Sequence, residues 1–174
     1  MRRILVTSAC GANGDGYGTL LSFSADGELA GPFSDDPRIT DPRGLSLSPA
    51  GDLVYVTSGD DRVLALGKNG NVTLDSGRAE SLDAGGGTFA PDGRYCVTLR
   101  RRGTILALPP RLDSEGQLLL PVGAVPFPRG FGFGHGGQLY LSPASAPPGK
   151  VTTPLPCSTP TANSAIPGWS ATRS

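Results

Sequence analysis

The side chains of this 174-residue sequence that could bind a ligand lie in short polar segments between apolar ones. They are acidic, amide and arginine side chains, and the candidates are Asn13, Asp15, Asp41, Arg43, Asp60, Asp61, Asp83 and Arg129. Carboxylate oxygens, with backbone carbonyls, are the ligands that calcium takes in proteins. These residues therefore predict a mixed-charge rim that binds either a polar ligand or a divalent cation.

Each candidate also has a structural explanation. Asp60 and Asp61 lie at a predicted hairpin tip that is equivalent to the tip formed by residues 100–102, and solvated charges are usual at such tips. Arg43 and Arg129 recur in the tripeptide PRG, where we expect a structural ion pair between neighbouring repeat units, with a carboxylate such as Asp41, in preference to contact with a ligand. The charges therefore predict a rim in which a structural role is favoured over contact with a ligand.

The loop of residues 10–18, which holds Asn13 and Asp15, is rich in glycine. It lacks the acidic spacing of a calcium loop and the Lys-Ser/Thr ending of a phosphate loop. A plain glycine-rich hairpin is the favoured interpretation.

The residues that most often carry catalysis do not form a set. His135 is the one histidine of the sequence, and it stands where the equivalent turns have Pro49 and Pro91. That turn is predicted on the face opposite the rim, which argues against a general base. Cys10, Cys96 and Cys157 are far apart without a CxxC pair, so neither a zinc site nor a disulfide framework is indicated. We expect no catalytic residue, no resident cofactor and, on balance, no enzyme.

Charge and hydropathy exclude several classes of partner. The 15 basic and 15 acidic residues give a net charge of zero, which provides no electrostatic basis for binding nucleic acid or an anionic membrane. No apolar run approaches the ~18 residues of a membrane span. The first residues, MRRILVTSACGANGDG, lack the apolar stretch of ~7–15 residues that a secretory signal needs. The sequence predicts a cytoplasmic protein whose partner, a small molecule or a protein, stays unspecified.

An internal repeat organises the chain. GLSLSPAGDLVYVT (44–57) returns as GGTFAPDGRYCVT (86–98) and as GFGFGHGGQLYLS (130–142). A second series is offset from the first and consists of TLLSFSADGEL (19–29), RVLALGKNGNV (62–72) and TILALPPRLDSEGQL (104–118). Apolar residues alternate within each unit and turn residues separate the apolar segments, which is typical of short strands. Four-stranded units of ~40–50 residues predict a β-propeller.

The segments PRGLSLSPAGDLVYVT, DDRVLALGKNGNV and PRGFGFGHGGQLYLS resemble the repeats of six-bladed propellers of the NHL-repeat and gluconolactonase-like superfamily. The resemblance covers roughly residues 4–148. It implies an all-β fold, an incomplete β-propeller of four-stranded antiparallel blades with an irregular C-terminal tail. The expected blades are residues 4–36, 41–76, 82–122 and an incomplete 127–149.

The same resemblance leads us to look for a metal site. Gluconolactonase-like enzymes hold a divalent metal in the central tunnel through Glu, Asn and Asp, and their first Glu lies near the first inner strand. The comparable segments here, DPRGL and FPRGF, contain no glutamate. The resemblance therefore transfers no catalytic residue. A metal-dependent hydrolase of the lactonase type is the alternative function if missing sequence or oligomerisation completes the ring, with a cation such as calcium expected in a full-length relative.

Within a blade, the strands are named A to D from the inside outward. Strand A is predicted near 44–48, 86–90 and 130–134, strand B near 53–58, 94–99 and 138–142, strand C near 62–67 and 103–108, and strand D near 72–75 and 117–121. The first unit begins with strand B at 4–8, continues with strand C at 19–24 and has no strand A. In this topology the D–A connections and the B–C hairpins share one face, which holds the predicted rim.

The segment 150–174 differs in composition from the rest, since it is dominated by Pro, Ser and Thr. One interpretation is a disordered tail. The other is a change of reading frame, because residues 156–165 back-translated in the shifted frame give ADGEL, the motif found at 25–29. On this hypothesis the chain is an arc cut from a longer propeller, and we expect self-association through its open blade edges.

Overall fold

The computed structural model describes residues 3–8, 18–79 and 83–143, and these ranges contain thirteen strands and no helix. The strands are β1 (Arg3–Ser8), β2 (Thr19–Ser24), β3 (Leu29–Ser34), β4 (Gly44–Leu47), β5 (Val54–Ser58), β6 (Arg62–Leu66), β7 (Val72–Asp75), β8 (Ala84–Phe89), β9 (Tyr95–Leu99), β10 (Thr104–Leu108), β11 (Gln117–Leu118), β12 (Pro128–Phe133) and β13 (Leu139–Pro143). The predicted all-β class is confirmed. The predictions for Cys10, Asn13, Asp15 and the segment 150–174 lie outside the described residues.

The strands form four antiparallel sheets in chain order. The first is β1-β2-β3, the second β4-β5-β6-β7, the third β8-β9-β10-β11 and the fourth β12-β13. The second and third sheets are the four-stranded units that the repeat predicts. Among the described residues the first sheet has no strand A, and the fourth has strands A and B.

Consecutive sheets pack face to face, because each strand turns alternate side chains toward the preceding and the following sheet. Leu20 of the first sheet packs against Val56, Leu64 and Leu66 of the second. The next interface is an aromatic cluster, in which the rings of Tyr55 and Tyr95 have centroids 4.7 Å apart and Phe89 meets both at an angle. Cys96, Ile105 and Ala107 then pack against the fourth sheet.

Burial on two faces explains why β5 and β9 contain no charged residue and only short polar ones, namely Thr57, Ser58 and Thr98. All five residues of β5 and all five of β9 are buried. A strand of an antiparallel sheet with one solvated face would instead alternate between apolar and polar residues.

The predicted strand positions agree with the structure to within about two residues, with one exception. Strand D of the third sheet is predicted over 117–121, whereas β11 pairs with β10 through Gln117 and Leu118 alone. The Leu119 N–H still donates to the Ile105 carbonyl, but Pro121 has no N–H with which to extend the ladder.

The described residues contain no helix with the length and apolar character needed to cross a membrane.

Candidate functional site

One end of the sheets collects the D–A connections and the B–C turns, and we call it the loop face. Its described parts are residues 35–43, 59–61, 76–79, 83, 100–103 and 119–127, which lie between strand ends. The A–B and C–D turns lie at the opposite end. His135 is exposed in the A–B turn between β12 and β13. The predicted separation of His135 from the rim is therefore confirmed.

Asp83 is the centre of an ion-pair network on the loop face. Its Oδ1 accepts hydrogen bonds from Arg43 Nη1 at 2.9 Å and from Arg100 Nη2 at 2.6 Å. Its backbone N–H donates to Asp61 Oδ1 at 2.7 Å. Arg43 also reaches Asp41 Oδ2, at 2.6 Å, so one guanidinium joins two consecutive D–A connections. The network ties the second sheet to the third.

The guanidinium groups determine the acidity of Asp83. Burial by itself would raise the pKa of this carboxyl, but hydrogen bonds from Arg100 and Arg43 outweigh burial and hold the pKa below its usual value. A carboxylate with a lowered pKa is a weak base, and Oδ1 of Asp83 already accepts two hydrogen bonds. Asp83 is suited to fixing loops and poorly suited to general-base catalysis or to binding a metal ion.

A left-handed residue precedes each described inner strand at the same point of the repeat. These residues are Asp41 with φ 43°, Asp83 with φ 36° and Phe127 with φ 45°. Positive φ is uncommon outside glycine and is enriched in Asp and Asn. Because Phe127 adopts it as well, the backbone conformation belongs to the fold, whereas the side chain differs between repeats.

A second network lies beside the first and corrects one prediction. Asp60 was expected to be a solvated hairpin charge, but its side chain is 12% exposed and its Oδ2 lies 2.8 Å from Arg62 Nε. Arg62 Nη1 also pairs with Asp75 Oδ2 at 2.9 Å, and Arg38 reaches the same oxygen at 3.3 Å. Asp60 is therefore part of a packed cluster that joins a B–C turn to the outer strand β7.

The structure brings together four of the predicted rim residues, namely Asp41, Arg43, Asp61 and Asp83. The expected pair between neighbouring units exists, but Arg43 makes it with Asp83 and not with Asp41, which belongs to the same connection as Arg43. Arg129 is exposed, and no described carboxylate lies within ion-pair distance of it. Asn13 and Asp15 lie outside the described residues.

Sequence reasoning missed Arg62, Asp75 and Arg38, and it treated Arg100 as part of a solvated tip. One signal was available for Arg62. It occupies the first position of strand C, where the other two repeats have Thr19 and Thr104, so a charge there needs a partner. Nothing in the sequence placed that partner on β7.

Among the residues that the structure describes, no group of three or more His, Cys, Asp or Glu side chains is arranged to hold a metal ion. Exposed arginines on the loop face can recognise negative charge. The side chain of Arg101 is 80% exposed, with its Nε 3.6 Å from Asp83 Oδ2. Arg102 beside it is also exposed.

Comparison with solved structures identifies the architecture. A streptogramin B lyase matches 79% of this chain with a TM-score of 0.57 and 17% identity. A gluconolactonase from Xanthomonas campestris matches 81% with a TM-score of 0.59 and 18% identity. The chain is part of a β-propeller. A structure of a nidogen/laminin complex matches 74% of the partial propeller with a TM-score of 0.62 and 18% identity.

The partial propeller spans about half the length of these structures, since the matches cover 46%, 50% and 50% of their chains. The sequence matches no protein-family model and no curated protein. At such low identity the likeness establishes the fold, which agrees with the resemblance to gluconolactonase-like propellers.

Proposed function

We propose that this partial propeller is a binding module that takes an anionic ligand on its loop face. The supporting observation is the state of residues 100–102, three consecutive arginines in the B–C turn of the third sheet. Among the described carboxylates, Asp83 pairs with Arg100 at 2.6 Å and more loosely with Arg101 at 3.6 Å, and its Oδ1 is already engaged by Arg43 and Arg100. Arg101 and Arg102 are left exposed beside it. Exposed guanidinium groups bind carboxylates and phosphates through paired hydrogen bonds.

The proposal also explains why the aspartates do not compete with the ligand. Asp41 and Asp83 hold Arg43, Asp83 holds Arg100, and Asp60 holds Arg62. The negative charges of these aspartates are therefore paired with arginines of the fold. Arg101 and Arg102, the other two arginines of the B–C turn in the third sheet, lie beside two ion-pair networks that hold the surrounding loops in place.

The test is calorimetric titration with citrate and, separately, with inorganic phosphate. We expect binding of at least one of these anions by the native chain and its loss in the double variant R101A/R102A. The matched control is R111A, because the side chain of Arg111 is 84% exposed but lies in a C–D connection at the opposite end of the sheets. Absence of binding in the native chain, or equal loss in R111A, would refute the proposal.

A lactonase-type hydrolase is the second candidate. It is favoured by the likeness to the Xanthomonas campestris gluconolactonase and to a structure titled a putative 6-phosphogluconolactonase, which matches 82% of this chain with a TM-score of 0.55 and 18% identity. Opening a lactone by water yields a hydroxy acid, an anion that exposed arginines would also bind. Hydrolysis of gluconolactone followed with and without added Ca²⁺ or Zn²⁺ separates the two functions, since a binding module leaves the rate at its uncatalysed value.

A further inference from the structure

We propose that two copies of this chain close one ring, with β1 of each copy pairing with β12 of the other in the place that β13 occupies in the single chain. The proposal concerns assembly and does not depend on which ligand the loop face binds.

The first observation is an apolar face on the first sheet that no described sheet covers. Leu20 and Ser22 of β2 are buried toward the second sheet, so the alternate residues of β1 and β2 face the other way. Ile4 is 50% exposed there and Val6 41% exposed. Their cross-strand partners on the same face are Phe23 and Leu21.

In the single chain the fourth sheet covers an apolar surface of the third sheet, and the apolar face of the partner's first sheet could cover the same surface. Leu139 and Leu141 of β13 pack against Cys96, Ile105 and Ala107 of the third sheet. Ile4 and Val6 occupy the equivalent positions of the repeat, because ILVTS aligns with LYLSP in strand B. Exchange of β13 for the partner's β1 thus places apolar residues where apolar residues already pack.

The exchange also adds apolar cover beyond the two strands described for the fourth sheet. The partner's β1 brings its own β2 and β3, and with them Leu21, Phe23 and Leu29, of which Leu29 is 61% exposed in the single chain. These strands would lie over the outer part of the third sheet. β12 exchanges one antiparallel partner for another, and in each copy the described pairing of β13 with β12 is given up.

The second, independent observation is charge complementarity on the loop face. Arg43, at the start of strand A in the second sheet, pairs with Asp83 of the following D–A connection at 2.9 Å. Arg129 is the equivalent arginine of the fourth sheet, and no described carboxylate pairs with it. Asp41 is the equivalent of Asp83, is 50% exposed, and receives an arginine only from its own connection among the described residues. In the closed ring Arg129 of one copy faces Asp41 of the other.

The strand count is consistent with closure. Each copy supplies β1 to β11 for its own three blades and β12 for the first blade of the other copy. Two copies then form six blades of four strands, related by a two-fold axis. A closed arrangement of this kind leaves no edge open to further copies.

The first test is the mass of the full chain in solution by analytical ultracentrifugation over a dilution series. We expect a dimer of twice the 17.8 kDa chain mass. V6D should raise the dissociation constant at least about tenfold, because it places a charge in an apolar interface. The matched control is L118D, because Leu118 is 38% exposed and is paired with Leu106 on the opposite face of the third sheet, the face that packs toward the second sheet. If V6D does not fold, R129D provides the same test, with R111D as its control.

The second test fixes the register. By analogy with the pair formed by Gly44 and Thr57, Thr7 of one copy should face Gly130 of the other. In a background of C10S and C157S, T7C/G130C should form a disulfide-linked dimer without reductant. T7C/G132C, two residues out of register, should form it at least about tenfold more slowly. A monomer at all concentrations, an open series of larger species, equal cross-linking of the two pairs, or an unchanged dissociation constant in V6D and R129D would each overturn the proposal.

Discussion

Strand B differs in burial between the interior and the flanking sheets. It is β5 and β9 in the second and third sheets, and β1 and β13 in the first and fourth. Every residue of β5 and β9 is buried. In β1 and β13, by contrast, Ile4, Val6 and Tyr140 are 50%, 41% and 54% exposed. The sequences of these strands are alike, since all four alternate around apolar positions. The difference shows that burial in a propeller blade is set by the sheets on either side of it.

Two tyrosines of strand B, one in an interior sheet and one in a flanking sheet, give the largest test of this contrast. Tyr95 in β9 is fully buried against Tyr55 and Phe89, whereas Tyr140 in β13 is largely exposed. We expect Y95A to lower the free energy of unfolding by about 3–5 kcal/mol and Y140A by less than about 0.5 kcal/mol. Urea unfolding followed by circular dichroism measures both. Equal losses would mean that the two strands are buried alike.

Two valines at equivalent positions of strand B test the same difference in burial, with a smaller expected loss of unfolding free energy. Val97 in β9 and Val6 in β1 occupy equivalent positions, at 0% and 41% exposure. Removing two buried methyl groups in V97A should cost about 2 kcal/mol, against less than about 0.5 kcal/mol for V6A in dilute protein. A cost of V6A that rises with protein concentration would indicate the dimer. A cost as large as that of V97A at every concentration would contradict the exposed flank.

The ion pairs of Asp83 and Asp41 should differ in how much they stabilise the fold, because Asp83 is largely buried and Asp41 is half-exposed. We expect D83N to destabilise the fold by about 1–2 kcal/mol at neutral pH, because it weakens two charge-assisted hydrogen bonds. D41N is the control, since Asp41 has the same left-handed backbone but is half-exposed, and exposed pairs contribute about 0.5 kcal/mol.

The stability difference between the native chain and D83N should depend on pH, because the pKa of Asp83 is lowered in the folded state. The stabilisation by this carboxylate is complete at pH values above the ordinary Asp pKa of about 4 and is lost as the pH falls through the lower folded value. The native chain and D83N should therefore converge in stability below about pH 4. Thermal unfolding between pH 2.5 and 7 measures this, and a constant difference would exclude Asp83 as the cause.

The smallest effect concerns reactivity without any change in fold. Burial raises the pKa of the Cys96 thiol in β9 to about 12, so very little thiolate exists at pH 7.5. In the C10S/C157S background we expect alkylation by iodoacetamide to be at least about 100-fold slower in the native chain than in urea. Rapid alkylation of the native chain would show that the third sheet opens readily.

The fold was largely predictable because it follows from local pattern. Alternation in VYVTS and YCVTL, with glycine and asparagine between the strands, indicated the β4–β10 strands without knowledge of any contact. The error was at 117–121, where the ladder pairs Gln117 and Leu118 and one further backbone hydrogen bond follows from Leu119. Pairing of an outer strand depends on its neighbour and is only weakly encoded in its own residues.

The candidate site was less predictable because its contacts join residues far apart in sequence. The repeated PRG suggested a pair between neighbouring units, but which carboxylate of the next unit Arg43 would reach, in addition to Asp41 of its own connection, follows only from the packing of two sheets. Asp60 was expected in solvent for the same reason, since Arg62 and Asp75 enclose it only after β6 and β7 have paired. Local sequence carries the charge but not its partner.

Hydrogen exchange followed by mass spectrometry tests the central claim, an arc of sheets with two packed interior blades and an open flank. In dilute protein we expect amides of β5 and β9 to exchange far more slowly than those of β1, and protection of β1 to rise as the protein is concentrated. Protection of β1 equal to that of β5 in the dilute monomer, or rapid exchange throughout β5 and β9, would contradict this account.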